Sequence, residues 1–340
     1  MQRAVWQAAA VPSSGSQHPA SQAASTPPPV GRLAPSTTGL LHLGHARTFL
    51  VAWWRARSTG GSLLMRLEDL DGPRCKPEFA DAALRDLEWL GLDWDGPAYL
   101  QSTGLERIAA AATRLEQSAS AYACVCSRAD VLGAQSAPQQ GVNEPRYPGT
   151  CRGRFGSLEM ALLETGKAAG LRLLVPPGDV VVEDGLLGRH AFDVMAEVGD
   201  FLIAKRDGAP AYQLAVVVDD AAQGVTEVLR GDDLLASTAR QQLLQLALGL
   251  PRVQCFHVSL VVDENGRRLA KREDDLSLAE LRAGGTDPRA VVAWAARSAG
   301  MDCPARARAE ELACFFSLSR LPGNPVVLSR SDVQALRQAR

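Results

Sequence analysis

Residues Val30–His45 read V-G-R-L-A-P-S-T-T-G-L-L-H-L-G-H. The short apolar run from Val30 to Ala34 is cut by Pro35, which cannot donate to a strand ladder. Ser36, Thr37, Thr38 and Gly39 make a turn. From about Leu43 a helix-like run continues through Arg57. Strand, turn and helix in that order form the entry unit of a doubly wound nucleotide-binding sheet. His42 and His45 stand three apart where the helix opens, so both rings face one side. Gly44 between them lacks a Cβ, so a flat ring or a phosphate can approach the backbone. The helix start adds unpaired N–H groups and the positive end of the dipole. Two imidazole donors, a bare glycine and a helix start suit a triphosphate. In isolation, H-x-x-H is an ordinary surface pair.

The 340 residues allow one large or two to three small domains. A net charge of −2 excludes a generally basic nucleic-acid coat, so RNA would have to meet local patches. An apolar share of 46% is ample for a core. No run approaches the roughly 18 apolar residues of a membrane helix. Seven cysteines, two of them in a C-x-C pair, fit a reducing cytoplasm and a metal site rather than a disulfide framework. Residues 1–29 are rich in Ala, Ser, Gln and Pro and read as a disordered leader or a mis-assigned start. Gln7 interrupts the one apolar run there, and arginine is nearly absent, against a signal or transit peptide.

Further along, Ser62–Leu67 reads as a second strand, followed by the acids Glu68, Asp69 and Asp71. Acids at the C-terminal end of a parallel strand stand where such sheets bind ligands. Helices are expected over Phe79–Leu90 and Gly104–Ala119. Cys124 and Cys126, with Cys151 downstream, offer three thiolates to a soft tetrahedral ion such as zinc. Asp130, Glu144 and Tyr147 are candidates for the fourth ligand. Arg146, Arg152 and Arg154 are a basic cluster able to meet an RNA backbone or simply face solvent. Leu171–Val175 and Val180–Val182 read as strands. Two strands are expected around Asp207-Gly208, then a buried stretch to Asp220. Ser237-Thr238 is read as the cap of a helix over Ala239–Leu248 that stops at Gly249. The guanidinium of Arg230 is the natural partner of a carboxylate, matching two oxygens with two N–H groups; Arg32 is a second candidate. A last helix is expected over 287–300.

The whole first stretch resembles the leading signature of class I aminoacyl-tRNA synthetases, in the wording of their glutamate/glutamine branch. Arg66-Leu-Glu-Asp-Leu-Asp71 is similar to another element of that branch. Arg268-Leu-Ala-Lys271-Arg272 occupies the place of the second signature, K-M-S-K-S, with Arg268 for the first lysine and Ala270 for the serine. The C-x-C pair, Tyr147 and Cys151 resemble the zinc site of the shortened glutamyl-Q tRNA(Asp) synthetase family. The likeness covers about residues 30–300 and implies an α/β, doubly wound parallel-sheet (Rossmann-like) catalytic domain with an inserted zinc segment. Its expected layout is a leader at 1–29, the first half of the nucleotide domain at 30–121, the insertion at 122–190, the second half with the second signature at 191–300 and a tail at 301–340. A full glutamyl-tRNA synthetase carries a large anticodon-binding region after the second signature; only about 70 residues follow Lys271 here.

The resemblance further implies that His42, Gly44, His45 and Lys271 bind ATP, with His42, His45 and Lys271 catalytic. Arg32, Leu33, Ala34, Pro35, Ser36, Glu68, Tyr212 and Arg230 would hold L-glutamate. Cys124, Cys126, Tyr147 and Cys151 would hold one structural Zn2+, and Mg2+ would accompany ATP. The implied activity is glutamate activation and transfer to queuosine in tRNA(Asp) by a cytoplasmic monomer. A truncated synthetase charging a tRNA 3′ end, or a non-catalytic RNA-binding paralogue, are the alternatives.

Overall fold

The computed structural model of the chain describes residues 27–133, 145–269 and 277–340. Strand β1 (Val30–Leu33), helix α1 (Leu43–Ser58) and strand β2 (Ser62–Leu67) follow the expected strand, turn and helix order. β1 and β2 pair in parallel, Val30 opposite Ser62. Helix α2 (Pro77–Trp89) opens on a proline, whose missing N–H costs nothing in a first turn, and returns the chain to the short β3 (Tyr99–Leu100), parallel to β2. α1 buries Leu43, Leu50, Val51, Trp53 and Trp54. It is apolar on most sides because the sheet lies on one flank and C-terminal helices on the other.

Helix α3 (Leu105–Gln117) leads to β4 (Ala121–Cys124), α4 (Arg128–Gly133), α5 (Leu158–Thr165) and β5 (Gly170–Leu173). β6 (Val180–Asp184) and β7 (Gly188–Phe192) form an antiparallel hairpin. After α6 (Val194–Glu197), β8 (Leu202–Ala204) completes the antiparallel sheet β4-β5-β8. Then come α7 (Tyr212–Ala222), β9 (Glu227–Gly231), α8 (Leu235–Leu248) and β10 (Gln254–Val258). β10 pairs in parallel with β9 and with β6. The Val30 N–H donates to Thr226 Oγ1 and the Thr226 N–H to the Val30 carbonyl, both at 2.9 Å. These bonds lay β1 beside β9, giving the order β3-β2-β1-β9-β10-β6-β7. The reversal at β1 and β9 is a topological switch point, where such sheets bind ligands.

Three local expectations change. The second strand after Asp207-Gly208 shrinks to a single bridge between Ala204 and Pro210, and the Val-rich run after it is helix α7. Residues 213 to 220 are all buried there, so packing overrides the strand propensity of Val216–Val218. Helix α8 starts at Leu235, so Ser237 and Thr238 lie inside it, their hydroxyls engaged by Gln213 and Arg230 rather than capping. Residues 180–192, which overlap the stretch assigned to the insertion, join the main sheet through β6 and β10.

The chain ends with β11 (Val261–Val262), α9 (Leu278–Ala283), α10 (Pro288–Ser298), α11 (Ala309–Leu312), β12 (Val326–Val327) and α12 (Arg330–Gln338). Residues after 300 are not a loose tail: Met301, Leu312, Phe316, Leu328 and Leu336 enter the same core as α1, and β12 pairs with β11. Among the described residues no helix is long and apolar enough to cross a membrane.

Candidate active site and metal centre

A cavity of about 800 Å³ opens at the C-terminal ends of β1, β2 and β9. Ala34, Pro35, Ser36, His45, Glu68 and Tyr212 line it together, although they are far apart in sequence. Ser36 and Glu68 face each other in a parallel bridge; the Glu68 N–H donates to the Pro35 carbonyl at 3.0 Å and the Thr37 N–H to the Glu68 carbonyl at 3.1 Å. The turn read from Ser36–Gly39 is therefore fastened to the acidic strand end. Leu33 points instead into the core.

The two histidines cap α1. His42 Nδ1 accepts the Gly44 N–H at 3.1 Å, and His45 Nδ1 accepts the His42 N–H at 3.2 Å. Their ring centroids are 3.8 Å apart. A nitrogen that accepts cannot carry the proton, so each neutral ring holds its hydrogen on Nε2. The cap thereby makes both Nε2–H groups donors, the polarity a phosphate needs. A Cβ at Gly44 would meet His42 Cε1 at 2.9 Å, so the flat ring that approaches this backbone is His42's own.

Beneath the cavity lies a buried ionic cluster of which the motif reading named only part. Arg66, fully buried on β2, donates to Asp220 at 2.6 Å, to Gln223 at 3.0 Å and to Glu68 at 3.3 Å. Arg32 pairs with the same Asp220 at 3.4 Å. Burial opposes ionisation of Asp220, but Arg66 and Arg32 outweigh it and hold its carboxyl below the usual range. For Glu68 the balance reverses: burial raises its pKa more than Arg66 and Arg32 lower it. Burial and the Glu68 charge also push the Tyr212 phenol up. Arg230 is buried, and its hydrogen-bond partners, His257, Thr238, Gln241 and the Leu234 carbonyl, are all uncharged. Arg32 Nε faces Asp220 Oδ1, whereas Arg230 Nη1 is buried without a hydrogen-bond partner, so one guanidinium donor is left over for an anionic ligand. The sequence places Arg66 at the end of a strand and at the head of the family-like acidic element; only the arrival of Asp220 and Gln223 on and after α7 gives its side chain a role.

The second signature is partly described. Arg268 lines the cavity and pairs with Asp233 at 2.8 Å. Ala270 and Lys271 lie outside the described residues. Their flanks do not: Leu269 is buried in the core around α1, Ser277 bridges His42, and the Leu278 N–H donates to the Leu41 carbonyl at 2.8 Å.

The thiols of Cys124, Cys126 and Cys151 lie within 4.8 Å of one another. The Tyr147 hydroxyl is 3.3 Å from Cys124 Sγ and 3.8 Å from Cys126 Sγ, and it accepts the Cys151 N–H at 2.8 Å. A tetrahedral ion with bonds near 2.3 Å needs ligand edges of about 3.8 Å, so three sulfurs and one oxygen fit. Arg172, not flagged by the sequence, stacks 3.7 Å over the Tyr147 ring and donates to Cys124 Sγ at 3.2 Å, favouring anionic ligands. Asp130 is turned away, capping Ser127, and Glu144 lies outside the described residues. Of the basic cluster, Arg152 is tied to Asp200 and the Val175 carbonyl, Arg154 lies over Phe155, and Arg146 donates to the Met195 carbonyl.

Switch-point cavity, histidine-capped helix and strand-end acid define a class I synthetase catalytic domain. Residues 30–315 match the family described as tRNA synthetases class I (E and Q), catalytic domain. A glutamate tRNA ligase from Elizabethkingia meningosepticum, solved in complex with its amino acid, shares the fold with a TM-score of 0.74 at 23% identity, over 90% of this chain and 68% of that one. The chain is 44% identical to the glutamyl-Q tRNA(Asp) synthetase of Symbiobacterium thermophilum over 90% of its own length and 98% of the relative's. The namesake from Nocardia farcinica is also 44% identical, over 88% and 93%. A glutamate–tRNA ligase of Nitratidesulfovibrio vulgaris is 40% identical over 79% of this chain but only 56% of its own length. The chain belongs to the glutamyl-Q tRNA(Asp) synthetase family.

Proposed function

We propose that the protein activates L-glutamate with ATP and esterifies the glutamyl group onto queuosine in the anticodon loop of tRNA(Asp). A glutamate carboxylate oxygen attacks the α-phosphorus in line and pyrophosphate leaves; a queuosine hydroxyl then attacks the acyl carbon and AMP leaves. Neither step needs a protein nucleophile, so positioning and charge stabilisation carry the catalysis. The Nε2–H groups of His42 and His45 donate to phosphate oxygens, and the Lys271 ammonium follows charge onto the departing pyrophosphate. Mg2+ bound with ATP supplies further charge neutralisation. Glu68 receives the substrate ammonium, the Ala34–Ser36 turn and Tyr212 line its path, and Arg32 and Arg230 meet its side-chain carboxylate. Cys124, Cys126, Tyr147 and Cys151 would hold one zinc ion, which would supply a structural cross-link in the insertion. The enzyme works as a cytoplasmic monomer. The observation that carries this reading is that one cavity unites His45, Glu68 and Tyr212, with an unspent donor of Arg230 behind it.

The deciding assay is glutamate-dependent ATP–pyrophosphate exchange, followed by glutamate transfer to tRNA(Asp) with and without queuosine. Exchange without tRNA, transfer only to the queuosine form, and an alkali-labile product are expected. No exchange at saturating substrates would remove the reading. Equal charging of both tRNAs at the 3′ end would favour the truncated synthetase.

Glu68 sets a pH dependence. Only its ionised form pairs with the substrate ammonium, and its pKa is raised. Affinity for L-glutamate should therefore rise as pH climbs above the ordinary carboxylate range, with a proton released on binding, by calorimetry in buffers of different ionisation heat. A flat profile without proton release contradicts this role. For the metal, Cys126→Ser and Cys151→Ser should each drop zinc content from about one per chain to near zero and lower the melting temperature. Unchanged zinc in both variants would place the ion elsewhere.

A further inference from the structure

Behind Arg230 stands a pair of buried groups that none of the signatures contains. Asp184, at the end of β6, and His257, on β10, have fully buried side chains. Asp184 Oδ1 accepts the N–H groups of Leu186 at 3.0 Å, Leu187 at 2.9 Å and His257 at 3.3 Å, while Oδ2 accepts His257 Nδ1 at 2.6 Å. A carboxylate served by four donors is ionised and accepts only, so His257 Nδ1 carries a proton. Across the ring, Nε2 is 3.1 Å from Arg230 Nε, which can only donate. Nε2 must therefore present a lone pair, and the imidazole is neutral, fixed from both edges. Arg230 Nη2 is spent on Thr238 Oγ1 at 2.8 Å, Gln241 Oε1 at 2.9 Å and the Leu234 carbonyl at 3.3 Å. Leu234 lines the cavity, so the guanidinium lies directly behind its wall.

We infer that His257, oriented by Asp184, is a positioning residue for Arg230: a neutral spacer that fixes the guanidinium while leaving its charge for a substrate carboxylate. A carboxylate set directly against Arg230 would orient it equally well but would neutralise it. The imidazole passes on the orientation without the charge. The inference rests on the glutamate reading and adds to it the device that favours glutamate over its uncharged amide.

The test combines nitrogen NMR of the His257 ring with calorimetric binding of L-glutamate, L-glutamine and ATP. Wild type at pH 7 should show a protonated Nδ1 and an unprotonated Nε2. His257→Leu should weaken L-glutamate about ten- to a hundredfold, leave ATP within about twofold and narrow the preference over L-glutamine. His257→Gln should restore most of the affinity, because its amide N–H can face Asp184 and its carbonyl Arg230. An Nε2–H tautomer or an imidazolium, equal losses in both variants, or glutamate affinity in His257→Leu within twofold of wild type would overturn the inference. Wild type that binds ATP but not L-glutamate would sink the functional reading itself, and this inference with it.

Discussion

Glu68→Gln should lower kcat/KM for L-glutamate in ATP–pyrophosphate exchange by about two to three orders of magnitude, with ATP affinity nearly unchanged. The substitution is almost isosteric. The backbone of Glu68 stays in its ladder with Pro35 and Thr37, and an amide oxygen can still accept from Arg66. What disappears is the negative charge opposite the substrate ammonium. Removing one partner of a buried charge pair costs about 2–5 kcal/mol, enough for the expected loss. The same substitution should leave the melting temperature of the ligand-free protein equal or higher. Glu68 has a raised folded pKa, so whatever it contributes to stability is present below the unfolded carboxylate value and lost as pH rises through the folded one. At neutral pH its charge is a burden that the bound ammonium relieves. A large loss of exchange without a loss of stability is the signature of a group kept for function. Activity within threefold of wild type would exclude Glu68 as the ammonium site.

The first half of the nucleotide-binding unit was legible because its signals are local. Ser62–Leu67 is a short, mostly apolar run set off by Gly60-Gly61, Pro35 and Gly39 punctuate the turn, and His42 stands where a cap must stand. The three-cysteine cluster was legible from the C-x-C pair and the downstream Cys151, but Tyr147 as a fourth ligand came from the family resemblance, the spacing alone leaving Asp130 and Glu144 equally open. Long-range pairing is another matter. The run to Asp220 reads only as a buried stretch, because Val216, Val217 and Val218 favour a strand; its burial between α3 and α8 makes it helix α7. Arg66, Asp220, His257, Asp184 and Arg172 act through partners tens to more than a hundred residues away. Arg66 opens a family-like element, but nothing in the immediate neighbours of any of them reveals these partners. The segment after residue 300 lacks any motif, yet it packs on α1 and pairs β12 with β11 a few residues before the second signature.

Asp220→Asn should cost about 3–5 kcal/mol of stability, the loss typical when one partner of a buried ion pair is removed and the other is left in place. Asp220 serves two buried guanidiniums at once, Arg66 at 2.6 Å and Arg32 at 3.4 Å. With a neutral side chain there, Glu68 and the more distant Asp219 would have to serve in its place, and Glu68 is itself disfavoured as an anion. For a chain of this length that cost corresponds to a fall in melting temperature of about 4–7 °C. The pH dependence has the opposite sign to that of Glu68. Asp220 is held below the usual carboxylate range, so its contribution is fully present above the unfolded value of about 4 and lost as pH falls through the folded one. The gap between wild type and variant should thus be constant from neutral pH down to about 5 and close only in acid. L-glutamate affinity should drop as well, because Arg32 and Arg66 lose the group that fixes their direction. Two carboxylates in one cluster thereby divide the work: one is stabilising and already paired, the other is destabilising and waits for its ligand. Scanning calorimetry of Asp220→Asn and Glu68→Gln from pH 4 to 8 distinguishes them, and parallel behaviour of the two variants would show that the cluster does not split in this way.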